Sequence, residues 1–154
     1  MIAELQIIGE DALAMVLGGL IGFERDLVNK PAGLRTHMLI AGAAALLVGL
    51  GDALVWSFVI EGPTERLRSD PIRIVEAVIT GISFLGAGTI FRHGRSEQVE
   101  GLTTAAAMLI TGSIGIATAL GQWLTAVGAT ALALLVLRGA ALIERRMIKK
   151  ANGQ

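Results

Sequence analysis

The stretch PIRIVEAVITGISFLGAGTIF, Pro71 to Phe91, decides the fold. Its length is about that of a helix crossing the ~30 Å hydrocarbon core of a bilayer. One carboxylate, Glu76, interrupts it. A charge at that depth costs at least a few kcal/mol, so Glu76 demands a partner, a proton or a function.

The rest of the chain follows the same pattern. Of 154 residues, 53% are apolar and only 17% are charged, well below the roughly one quarter charged that is usual in soluble domains. The apolar residues come in blocks. Met38 to Gly51 and Gln122 to Leu137 carry no charge at all. Five helices are predicted, over about 4–23, 34–54, 71–91, 101–119 and 122–143. The class is therefore all-α, a polytopic membrane protein with one membrane domain over 1–145 and a basic tail over 146–154. No cysteine is present, so disulfides and thiolate metal sites are excluded. The start, MIAELQIIGED, has no basic segment and no small-residue cleavage site, so the first helix is expected to act as its own insertion signal.

Loop charge sets an expected orientation. Arg25, Lys30, Arg35, Arg92, Arg95, Arg138, Arg145, Arg146, Lys149 and Lys150 fall on one side, and only Arg66, Arg68 and Arg73 on the other. Cations accumulate on the cytoplasmic side. The N-terminus is thus expected outside and the C-terminus in the cytoplasm. Glu4, Glu10, Asp11, Asp52, Glu61, Glu65 and Asp70 gather toward the outer side. They either raise the local cation concentration or collect there because the cations are kept inside.

An internal repeat is visible. GLRTHMLIAG (Gly33 to Gly42) resembles GLTTAAAMLITG (Gly101 to Gly112), and each follows a Gly-rich helix end, GGLIGFER or GAGTIFR. The first two helices are thus expected to recur as the third and fourth in parallel, with any site at the repeat interface. Gly18 with Gly22 forms a GxxxG, a spacing that lets helices approach closely in lipid. Gly86 and Gly88 serve either the same packing or a break in the third helix. No strand precedes them and no GK[ST] follows, which excludes a phosphate loop. Nucleic acid is not an expected partner.

Counting from the cytoplasmic helix ends places Glu10 or Asp11 and Glu76 at depths within ~5 Å of one another. These three acids form the candidate cation or proton site. It holds a hydrated divalent ion through oxygen ligands, Mg2+ being the candidate, or it exchanges protons. The alternatives are an ion pair of Arg73 with Glu76 at i, i+3 and a protonated Glu76 bonded to Thr80. A second set faces the cytoplasm: Glu24, Arg25, Arg35, Thr36, Arg92, Thr103 and Thr104. Glu24 with Arg35 forms a clamp between repeats, or the patch docks a protein or a lipid headgroup. His37 and His93 lack metal-ligand spacing and are expected to be solvated or interfacial. No nucleophile–base pair is present, so no enzyme is expected.

Three motifs then occur in order: GFER (Gly22 to Arg25) with AGLRTH (Ala32 to His37), GISFLGAGTI (Gly81 to Ile90), and EGLTTAA (Glu100 to Ala106) followed by Ile114-Gly115-Ile116. Together they resemble the MgtC/SapB family of bacterial inner-membrane proteins. The resemblance implies five membrane helices and an external N-terminus. It also implies a link to growth in low magnesium, through restraint of the rotary ATP synthase rather than carriage of magnesium. Glu24, Arg25, Arg35, Thr36, Gly86, Gly88, Thr103 and Thr104 fall in the matching motifs. Thr103 and Ile110 stand where virulence-type members have Asn and Cys. Many members continue into an ACT-like domain; this sequence stops at Gln154, so no ACT-like domain is expected within it, the domain being either missing or truncated. Glu76 lies outside the motifs and inherits no role. A regulator working through helix contacts, with itself or another complex, and a small oligomeric transporter of magnesium or protons are the two functions this leaves.

Overall fold

The computed structural model describes residues 2–61, 72–92 and 99–151, with side chains over 4–54, 72–90 and 99–139. Five helices follow in order: α1 (Ile2–Leu27), α2 (Leu34–Glu61), α3 (Ile72–Ala87), α4 (Leu102–Ala119) and α5 (Trp123–Ala151). A two-residue antiparallel ladder, β1 (Phe91–Arg92) with β2 (Val99–Glu100), closes the α3–α4 connection. The all-α expectation holds apart from this ladder. Stretches 62–71 and 93–98, which include His93, Arg95 and Glu97, lie outside the described residues, as do the side chains of Arg92, Arg145, Arg146, Lys149 and Lys150.

Three helical stretches are long and apolar enough to cross a membrane: Glu4–Leu27, Leu34–Leu54 and Leu102–Ala119. The apolar part of α5, Trp123–Gly139, is shorter. So is α3, with 16 residues against the 21 expected from sequence. It ends early because Gly88 and Thr89 leave the helix in a turn. Thr89 N–H and its hydroxyl both bond the Gly86 carbonyl, at 2.9 and 2.7 Å. Between α4 and α5 a single turn at Leu120–Gly121 breaks the helix, with Gly121 in the left-handed region at φ 68°, so these are two helices and not one kinked one.

Helix α4 is the hub, packing on all four others. Its small residues let the other helices approach closely, although Thr103, Ala106 and Ile110 remain exposed. Gly112 admits Ile82 of α3, and Gly115 lies directly against the Ala41 carbonyl of α2. Ile40, Val48, Val78, Ile82 and Met108 form one core, and Leu17, Ile21, Ala107, Ile114 and Ala126 another.

The two helix hairpins repeat in their contacts. A Cβ at Gly18 stands 2.6 Å from the His37 carbonyl, and one at Gly86 stands 3.4 Å from the Ala105 side chain. Adding 68 to Gly18 and His37 gives Gly86 and Ala105, the shift that also relates Gly33 to Gly101. The same glycine contact thus sets both crossings, more tightly in the first. Gly86 packs and Gly88 turns, so the two roles weighed for that segment belong to neighbouring residues.

Candidate functional site

The turn from α1 to α2 holds the densest group of polar side chains in the interior. Gly22 lets the end of α1 approach the backbone of Gly33 and Leu34 to within 2.6–2.7 Å of where a Cβ would stand. That approach seals Glu24, Arg25 and His37 inside, at 2%, 4% and 0% exposure. Arg25 donates from Nε to Glu24 Oε2 at 2.6 Å, and its Nη2 lies 2.5 Å from the same oxygen. Paired in this way, two charges can be buried that would be prohibitive singly. Glu24 therefore partners its neighbour and not Arg35. The clamp expected between repeats is absent because Arg35 points to the surface, where it makes no ion pair among the described residues.

Asp26 organises the turn. Its Oδ2 accepts the Leu34 N–H at 2.9 Å, which satisfies one of the donors left free at the start of α2. Gly33 must lack a Cβ here, since one would overlap the Asp26 carboxylate. Asp26→Ala is expected to remove about 1 kcal/mol of stability, read as a small fall in the unfolding temperature of the purified chain.

His37 corrects the sequence reading. It is neither solvated nor interfacial but fully enclosed. Its Nδ1 lies 3.0 Å from the Gly33 carbonyl. A carbonyl only accepts, so Nδ1 carries the proton, and Nε2 is left buried with no partner. The signal was present in sequence: Gly33, His37, Ala41 and Ala45 recur at helical spacing on one buried face.

The membrane acids separate. Glu10 is buried on α1 and accepts a hydrogen bond from Gln6 at 3.0 Å. Asp11 faces α2, where a Cβ on Gly42 would stand 2.8 Å from its Oδ1. That oxygen is buried without a partner. Glu76 is exposed on α3, a helix that packs on α4 and α2 while α1 packs on α2, α4 and α5. Glu76 makes no ion pair with Arg73, and Thr80 donates to its backbone carbonyl, at 2.7 Å, rather than to its carboxylate. Among the described residues no three His, Asp or Glu side chains come together in a form that holds a metal.

At the start of α4, Thr104 is buried and Thr103 exposed. Gly101 precedes them at φ 94°, pressed against the Thr89 carbonyl, a place only glycine fills without strain. Thr103 and Ile110, seven residues apart, share an exposed face of α4. Thr36 is half-buried beside Arg35.

Apolar helices packed through glycines, with an ion pair buried at one hairpin turn, define a helical membrane protein. Within that class the chain belongs to the MgtC family, whose model it matches over residues 12–146. It is 40% identical to an uncharacterised protein of Haemophilus influenzae over 142 residues, covering 91% of this chain and 58% of the relative. It is 35% identical to the putative magnesium transporter YhiD of Escherichia coli K12 over 143 residues, covering 90% and 62%. To the protein MgtC of Salmonella typhimurium LT2 it is 38% identical over 144 residues, covering 92% and 56%. The chain thus spans about three-fifths of the length of these relatives. No solved structure matches it.

Proposed function

We propose that the chain is a five-span bacterial inner-membrane protein of magnesium adaptation, with its N-terminus outside, that regulates through helix contacts rather than by carrying ions. One observation carries this reading: the buried hydroxyls of Thr111, Thr118 and Thr130 are spent within their own helices. Thr111 and Thr118 are buried, and each donates to a carbonyl four residues earlier on α4, at 2.7 and 2.8 Å. Thr130 does the same on α5. Thr80 and Ser83 are exposed on α3. Hydroxyls spent on their own helix, or turned outward, do not line a pathway across the bundle. The names of the YhiD and MgtC relatives and the family itself support the link to magnesium. The helix contacts are with a second copy or another membrane complex.

Asp11 favours a second reading, transport. Gly42, its neighbour on α2, lies eight residues inside the apolar stretch Leu34–Leu54, about 12 Å from its end. An unpartnered carboxylate oxygen at that depth favours a proton or a cation. Reconstitution separates the readings. In liposomes carrying magnesium and proton reporters, the chain is expected to move neither ion faster than empty vesicles. It is also expected to restore low-magnesium growth to cells lacking it. Flux that disappears in Asp11→Asn or Glu76→Gln overturns the regulator in favour of the transporter.

A further inference from the structure

Helices α2 and α3 meet only sparsely on one side of the bundle. They flank a lateral groove of about 1150 Å³ floored by Met108 of α4. Its walls are apolar along the middle, Leu39, Ala43 and Leu47 facing Ala77, Gly81 and Phe84, with Arg73 at the end away from Arg35. A Cβ at Gly81 would meet nothing within 4 Å, so the trough is open along its middle. The volume exceeds the ~300–1,000 Å³ usual for small-molecule sites. At the α1–α2 end lies a smaller cleft of about 330 Å³ bounded by Asp26, Gly33 and Leu34. Arg35 and Thr36 line both spaces. A polar cleft thus adjoins a long apolar trough, with a guanidinium and a hydroxyl between them.

Arg35 is exposed and makes no ion pair among the described residues, so its guanidinium is open to an anion, while Asp26 across the cleft is engaged by the Leu34 N–H. From Arg35 to Leu47 the α2 wall runs about 18 Å, a little more than half the ~30 Å hydrocarbon core. The α3 wall continues to Arg73 at the far end. Loop charge assigns Arg35 to the cytoplasmic side, whose leaflet attracts basic residues through anionic lipids.

We propose that the groove is a binding site for an anionic phospholipid. Its phosphate is held by the Arg35 guanidinium and the Thr36 hydroxyl, and its acyl chains lie between α2 and α3. Arg35 supplies the preference for anionic headgroups through a charge-assisted bond to phosphate, and the apolar walls supply affinity for any lipid. This rests on the chain lying in a membrane and is independent of whether it regulates or transports.

The test uses the full chain purified in detergent and titrated with phosphatidylglycerol or phosphatidylcholine, bound lipid being counted by native mass spectrometry. One phosphatidylglycerol is expected to be retained per chain, with phosphatidylcholine about tenfold weaker. Arg35→Gln, an exposed change that leaves the fold intact, is expected to abolish that preference while phosphatidylcholine binding persists. Gly81→Phe, which fills the trough, is expected to weaken both lipids, with circular dichroism confirming that the helices remain. Equal retention of the two lipids, or an undiminished preference in Arg35→Gln, overturns the proposal. So does a dimer that forms without lipid and is lost in Gly81→Phe, which assigns the groove to a second copy. Binding of inorganic phosphate at Arg35 with no gain from acyl chains overturns the lipid assignment as well.

Discussion

Replacing Glu24 by leucine lowers the stability of the chain by about 3–5 kcal/mol, the usual result of removing one partner from a buried ion pair. Arg25 is 4% exposed and both its short contacts end on a single Glu24 oxygen. Without that oxygen a guanidinium remains enclosed and uncompensated. The hairpin turn then has to open to hydrate it, which undoes the Gly22 contact with Gly33 and Leu34. Denaturant unfolding of the purified chain measures the loss, and the amount of chain in cell membranes should fall with it. The double variant Glu24→Leu with Arg25→Met is expected to recover most of the stability, because no charge is then buried. A single variant that loses less than about 1 kcal/mol, the value of an exposed pair, would show that water reaches Arg25.

Gly115→Val is the second large effect. A Cβ at Gly115 overlaps the Ala41 carbonyl and stands 3.0 Å from the Ala44 side chain. The obstacle is backbone of α2 and cannot rotate away. Helices α2 and α4 must separate, and the core around Ile40, Val48 and Met108 opens with them. Overpacking ordinarily costs about 1–3 kcal/mol, and the hub position of α4 places this change at the upper end. Gly81→Ala is the matching control. Its Cβ meets open space, so the better helix propensity of alanine, up to about 1 kcal/mol, leaves stability unchanged or raised. Equal destabilisation by the two changes would falsify the assignment of Gly115 to the α2–α4 seam.

These effects bear on how far sequence reading reached. The Gly-rich ends GGLIGFER and GAGTIFR were legible as packing segments because small-residue spacing is a local property. What each glycine packs against was not. Glu24 was matched with Arg35 because both lie near the same membrane surface, yet the nearest guanidinium in space is the next residue in the chain. His37 was set aside for want of a metal-ligand spacing, although its place on the Gly33–Ala41–Ala45 face marked it as interior. Glu76 stood out as a charge in an apolar segment, and the structure leaves it outward on α3, apart from Glu10 and Asp11.

The sequence by itself determined the membrane class, the five helices and approximate limits for most of them, the repeated hairpin and the family motifs. These follow from composition, hydrophobic run length and short spacings, which depend on a residue's neighbours along the chain. It also ranked residues by depth, since a helix advances by a fixed rise. Rotation about each helix axis was decided by tertiary structure alone. Gly18, Gly22 and Gly115 set that rotation through backbone contacts between helices distant in sequence. Rotation then settled that Glu24 meets Arg25, that Asp11 faces Gly42 and that Glu76 faces outward. Depth is additive along one helix, whereas the facing of a side chain depends on every helix packed against it.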